Sequence, residues 1–337
     1  MIARVPILTI VLTISLNAAS GGEKSLKNPD AWFTGAEGRR SLECILSWQT
    51  EAGGWPKNEN TTGEEYTGNL SDLRSTFDNG ATIDELRVLA RGFQLTKDIR
   101  YKYAYVRGLR LIFEAQYSNG GFPQYFPLRK GYYSHITFND NSMVRILELL
   151  HDVASSEDYH FLDEFQRAAA LSAYDKGIAC ILKCQVKVNG RLTVWCAQHD
   201  SHTLKPVKAR SYELPSLSGG ESAGILRLLM DVDDPTPKVI RAIKAGVSWY
   251  EASKIEGYRY ERKDGDSALI KDPEAASLWA RFYELDTNRP FFSDRDGVKK
   301  YDVQEIGEER RNGYSWFSAA GSNVARDYAK WKLRIRL

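Results

Sequence analysis

Apolar residues recur at three- and four-residue spacing in several stretches, among them LRLIFEAQ (109–116), GIACILKCQ (177–185) and GVSWYEASK (246–254). That period puts the apolar set on one face of a helix. The stretches share a frame. Gln49, Gln116 and Gln185 are each followed at the fifth position by a glycine (Gly54, Gly121, Gly190), and the spacings between them are 67 and 69 residues. Gly108 and Gly177 each stand eight residues before a frame glutamine, and a fourth copy begins at Gly246, 69 residues after Gly177. Repetition at a fixed period marks a stacked or toroidal array. Within each unit the first helix is expected to end on glycine in the left-handed C′ position. A second helix is expected to start at Thr82 with Glu85, at Asp140 or Asn141, at Ser218 with Glu221, and at Asp272 before Pro273. The pattern predicts an all-α fold, an α/α barrel or partial toroid of about four helix–turn–loop–helix repeats.

In such a unit the glycine turn and the next helix start lie at one end of the ring. The connecting gaps run 29, 24, 33 and 18 residues from Gln49, Gln116, Gln185 and Lys254. The longest, from Gln185 to Ser218, holds the loop that forms the first half of Thr193–Met230 and is dense in polar and basic groups: Gln198, His199, Asp200, Lys205, Lys208, Arg210, Tyr212 and Glu213. Long insertions in a repeat tend to build the binding face, so this loop is expected to carry the active site.

Composition narrows the class. With 46 basic and 44 acidic residues the net charge is only +2, which argues against a nucleic-acid partner. Residues 1–20 hold Arg4, an apolar run from Val5 to Leu16, and then Ala18-Ala19-Ser20. This reads as a cleaved secretory signal, too short for a membrane anchor, which needs ~20 apolar residues. Residues 21–337 are expected to form one exported catalytic domain, periplasmic or secreted and monomeric. Cys44, Cys180, Cys184 and Cys196 follow no zinc pattern, and either disulfides or buried thiols fit the sequence.

Candidate chemistry gathers on the same rim. Asp78-Asn79 and Asn139-Asp140-Asn141 hold matching places in the first two repeats. They are good helix caps, and their oxygens also suit a hard cation such as Ca2+, completed by substrate oxygens. Lys57, Lys205, Lys208, Arg210, Arg281, Arg289 and Arg295 supply positive charge there. With Trp55, Phe122, Tyr125, Trp195 and Tyr212 as possible stacking surfaces, the combination suits an anionic polymer. Of the five histidines only His199 and His202 lie in the long loop, and neither belongs to a recognisable triad.

Seven motifs taken in order carry a family resemblance: GGWPKN (53–58), TFDNGATIDEL (76–86), GGFPQYFP (120–127), ITFNDNSM (136–143), WCAQHD (195–200), LKPVKARSYELPSLSG (204–219) and WARFYELDTNRPFFSDRDG (279–297). Together they resemble pectate lyases of polysaccharide lyase family 10, over roughly residues 30–337. The resemblance implies an α/α-toroid enzyme that cleaves polygalacturonate by Ca2+-assisted anti β-elimination and leaves 4,5-unsaturated ends. It implies Arg210 as the base that takes the C5 proton, with Asp78, Asn79 and Asp140 around the calcium. Arg281 and Arg295 would bind substrate carboxylates, with Lys57, Asn139 and His199 as further substrate contacts. An arginine base is chemically demanding, because its ordinary pKa is above ~12 and a base must be neutral to act. Asp140 or Glu213 is the fallback. Two rivals are an α/α-toroid glycoside hydrolase, with Asp78 and Asp140 as its carboxylate pair, and a non-catalytic oligogalacturonate-binding protein.

Overall fold

The computed structural model describes residues 21–263 and 265–336. The signal-sequence reading falls on residues 1–20, outside the described residues. The longer helices are α1 (Ala36–Ser47), α2 (Ile83–Thr96), α3 (Ile99–Ala115), α4 (Ser142–Ser155), α5 (Glu164–Cys184), α6 (Glu221–Met230), α7 (Pro237–Ala252) and α8 (Ala320–Arg334). They pack as two rows. One row runs α1–α3–α5–α7 and the other α2–α4–α6–α8, and α2 also packs on α3, α4 on α5 and α6 on α7. This is the predicted partial α/α toroid.

The repeat frame has a structural cause. The Gln49 amide donates to Gly53 O at 2.7 Å and to Ala104 O at 2.8 Å. Gln116 donates to Gly120 O and Ala173 O, and Gln185 to Thr193 O and Ala242 O. Each glutamine therefore ties its own turn to the next helix of its row. The glycines eight residues earlier serve the crossing between rows: a Cβ on Gly108, Gly177 or Gly246 would run into Leu86, Leu147 or Leu226. Three indole N–H groups close the same repeat, Trp55 on Ile45 O, Trp195 on Ile181 O and Trp279 on Tyr250 O.

Several expectations are corrected. The frame glycines do not cap the helices. Gly53, Gly120, Gly190 and Gly257 take the positive φ, five or six residues past the helix ends, where the chain turns back toward the rim. No helix starts at Asp272. The chain there has just left the Tyr258–Lys263/Asp266–Lys271 hairpin, and the second helix of the fourth unit is α8, starting at Ala320. Between them lies a small sheet of Leu217–Ser218, Phe282–Tyr283, Pro290–Ser293 and Lys299–Lys300, with its own apolar cluster around Phe282, Phe291 and Trp316. The Thr82–Glu85 capping box does not form. Thr82 has φ 69° and its hydroxyl accepts from Trp55 N–H, while Glu85 bonds Thr61. All four cysteines are buried free thiols. No described helix is long and apolar enough to cross a membrane.

Candidate active site

Two tight turns meet at one end of the helix row. Asp78–Gly80 leads into α2 and Asn139–Asn141 into α4, and the turns touch each other. Each holds a residue in the left-handed region, Asn79 at φ 53° and Asp140 at φ 51°. Asn and Asp tolerate this conformation best among non-glycine residues, and such strain concentrates at functional sites. Side chains that would otherwise cap the helix are thereby turned out of the helix axis. The turn Ser218-Gly219-Gly220 holds the same place before α6.

The turns are held by charge. Asp78 is 3% exposed and forms an ion pair with Lys57. Burial works against the Lys57 ammonium, but Asp78 outweighs it and raises its pKa. Asn139 donates to Asp140 Oδ2 at 2.6 Å and accepts from Arg281 at 3.3 Å. Arg281 also holds Glu221 at 2.6 Å, and Glu221 is bonded to Ser218. Arg210 grips Glu213 through Nε at 2.8 Å and Nη2 at 2.6 Å, and the Tyr314 hydroxyl donates to Glu213 at 2.8 Å. Arg210 and Asp78 both lie within electrostatic reach of Asp140, as do Glu221 and Arg281.

Three cations, Lys57, Arg210 and Arg281, thus face four carboxylates, Asp78, Asp140, Glu213 and Glu221. Each cation holds one carboxylate, Lys57 on Asp78, Arg210 on Glu213 and Arg281 on Glu221, so the shortage falls on Asp140. Asp78 Oδ1 is buried and has no hydrogen-bond partner among the described residues. Burial first, then Glu221 and, less strongly, Asp78, push the Asp140 carboxyl up to about 6 against Arg281 and Arg210. An unpartnered buried oxygen near a carboxyl whose ionisation is resisted is a donor pair whose chemistry fits a hard cation. The protein donors alone are sparse: no group of three or more His, Cys, Asp or Glu among the described residues could hold a metal ion. Further oxygens would have to come from Asn79, water or a bound acid.

The predicted site residues divide. Asp78, Asp140, Lys57 and Arg210 come together, and Asn79 stands exposed beside them, its amide 3.5 Å from Asn58. Asn139 bonds Asp140, and Arg281 reaches Asn139 and Glu221 through Nη2, while its buried Nε has no hydrogen-bond partner among the described residues. Two expectations are corrected. His199 is fully buried, with Nε2 accepting from Cys196 N–H and Nδ1 on Leu204 O, so it organises the long loop and has no atom free for a substrate. Trp55, Phe122, Tyr125, Trp195 and Tyr212 are all buried and cannot stack on a sugar. Arg295 is exposed and paired with Glu309, within electrostatic reach of Tyr212. Sequence reasoning missed Glu221 and Tyr314. Glu221 had a usable signal, since it is an acidic residue at the helix start that follows the third turn. Tyr314 lies outside every motif.

The family model for pectic acid lyase matches residues 49–325. A solved family 10 polysaccharide lyase from Cellvibrio cellulosa is 39% identical, covering 90% of this chain and 96% of its own, with a TM-score of 0.80. An aspartate-to-alanine mutant of a family 10 polysaccharide lyase from Cellvibrio cellulosa, in complex with trigalacturonic acid, is 38% identical, covering 92% and 97%, with a TM-score of 0.81. No curated protein matches the chain. A family match across most of the sequence, and structural likeness at this identity and coverage, lead to one conclusion: the chain belongs to the pectic acid lyases of polysaccharide lyase family 10.

Proposed function

We propose that this pectate lyase cleaves α-1,4-polygalacturonate by anti β-elimination at the mouth formed by the Asp78 and Asp140 turns, with Arg210 as the base. The observation that carries it is the convergence of Asp78, Asp140 and Arg210 on one patch from three separate repeats. A calcium ion held by Asp78 and Asp140, with Asn79 close by, would draw charge from the uronate carboxylate and acidify the C5 proton. Lys57 pairs with Asp78 and adds positive charge for the uronate carboxylate to approach. Arg281, through Asn139 and Glu221, fixes the Asp140 turn. Arg210 takes the C5 proton, the C5–H electron pair forms the C4–C5 double bond, and the C4–O4 bond breaks; O4 departs with that bond's electron pair and takes a proton from water, leaving a 4,5-unsaturated end on the other fragment.

Arg210 meets an obstacle in this arrangement. Burial lowers its pKa, but the hydrogen bonds and charge of Glu213 outweigh that and hold the guanidinium protonated. Proton abstraction requires the Arg210–Glu213 pair to loosen, which the positive charge of Lys57 favours. Glu213 is a poor substitute base. Burial raises it, yet its bonds to Arg210 win and its pKa falls. Asp140, pushed up to about 6, is the better-placed carboxylate alternative.

Polygalacturonate with Ca2+ is expected to give rising ultraviolet absorbance from the unsaturated product, abolished by a chelator. No absorbing product at any alkaline pH overturns the proposal. Residues 21–337 are taken as one catalytic unit, active as a monomer. Export of the protein to the periplasm or medium rests on the character of residues 1–20.

A further inference from the structure

A cavity of about 590 Å³ opens beside the Asp78 turn, within the size range of sites for small ligands. Leu70, Arg74, Ser75, Tyr125, Leu128 and Arg129 form its working walls. Ser75 is three residues before Asp78, and Thr76 pairs with Tyr125, so the cavity shares a wall with the candidate active site. The far side connects as well. The Arg129 guanidinium lies over the Tyr133 ring at 4.1 Å and over Tyr125 at 5.4 Å, and Tyr132 packs on Tyr133 at 4.0 Å. Tyr132 is within electrostatic reach of Arg210 and Glu213. A strip of partly exposed aromatic surface thus runs from Arg210 to the cavity.

The charge of the cavity is not balanced from within. Arg129 has no ion pair among the described residues, and the one hydrogen bond of Arg74 goes to Ser71 O at 3.2 Å. Both are exposed, and Glu51 is the acidic residue on the wall. Leu70 and Leu128 are exposed too, 38% and 55%, apolar surface beside two guanidinium groups that have no carboxylate partner among the described residues. A hexuronate unit offers the same pairing of a carbohydrate C–H face with a carboxylate. Guanidinium forks match carboxylates, and rings such as Tyr132 and Tyr133 suit sugar faces.

We propose that this cavity is a distal subsite for a further galacturonate unit of the same chain, its carboxylate held by Arg129 and Arg74 and the intervening sugar laid along Tyr132 and Tyr133. It rests on the lyase reading above. The subsite would make the enzyme prefer long chains, because a trimer spanning the cleavage site does not reach it.

The test compares kcat/KM on trigalacturonate and hexagalacturonate, read as unsaturated product, for the wild type, Arg129→Ala and Arg74→Ala. The wild type is expected to favour the hexamer. Each variant should lose about tenfold on the hexamer, the low end of what a hydrogen bond to a charged group is worth, and stay within about twofold on the trimer. Equal losses on both substrates would place the arginines in the cleavage site or in folding. An undiminished hexamer rate would show the cavity empty during turnover. Either result overturns the subsite while leaving the lyase reading intact. If the wild type yields unsaturated product from neither substrate, the lyase reading falls and the subsite with it.

Discussion

At the scale of single residues, chemistry here depends on what already grips each charged group. Arg210, the base proposed above, spends its guanidinium on Glu213 at 2.6 and 2.8 Å. Glu213→Gln removes the charge that keeps the guanidinium protonated. The limb of the pH–rate profile set by Arg210 should then move to lower pH. At a fixed pH below that limb, kcat/KM should rise about tenfold for each unit the guanidinium falls. An unmoved limb would show that the pair only positions Arg210. Arg210→Ala should collapse kcat while oligogalacturonate binding, followed calorimetrically, persists; near-normal turnover would remove Arg210 as the base.

At the scale of elements, the repeat is held by a few side chains used the same way each time. Gln185 joins two carbonyls, the part-buried Thr193 O at 2.9 Å and the buried Ala242 O at 3.0 Å. Truncation removes this donor from Thr193 O, while Ala242 O, inside α7, keeps the N–H of its own helix. Gln185→Ala should therefore cost about 1–3 kcal/mol in denaturant unfolding, and a loss under about 0.5 kcal/mol would refute the latch. The 67- and 69-residue spacing was visible in the chain because a latch joining helices of neighbouring units must recur at the repeat length. The helix starts at 83, 142 and 221 were legible for a related reason, since Asp, Asn and Ser cluster there. Their detail was not: Thr82 and Glu85 fit a capping box by spacing, but Trp55 and Thr61 claim their side chains. The fourth unit misled because Asp272-Pro273 has the local chemistry of a helix start, and only the pairing of neighbouring strands commits that stretch to sheet and turn.

At the scale of the whole molecule, unfolding should report the buried acid Glu85. Burial raises its pKa to about 7 from an ordinary 4.5, against the opposing hydrogen bond from Thr61. Between those values the folded state binds more protons than the unfolded chain, so stability falls as pH rises through roughly 4.5 to 7. The full effect is on the order of 3 kcal/mol. Glu85→Gln should flatten that slope in urea titrations at pH 5, 6, 7 and 8. A wild-type curve already flat across the window would show that Glu85 ionises freely in the fold.

The chain by itself determined the helical ring, its repeat length, the rim that carries the loops, and the presence there of Asp78, Asp140 and Arg210. Periodicity, turn residues and motif order are local properties, and local physics writes them into sequence. Tertiary structure alone decided which side chains remain free. It buried His199 and the five expected stacking rings, tied Arg281 to Asn139 and Glu221, and brought in Glu221 and Tyr314. It left Arg129 exposed over a half-buried pair of rings, Tyr132 and Tyr133. Whether a polar group acts or braces depends on its neighbours across 60 to 140 residues of chain, as in Arg281 with Glu221 and Asn139, and those neighbours are set only when the ring closes around them.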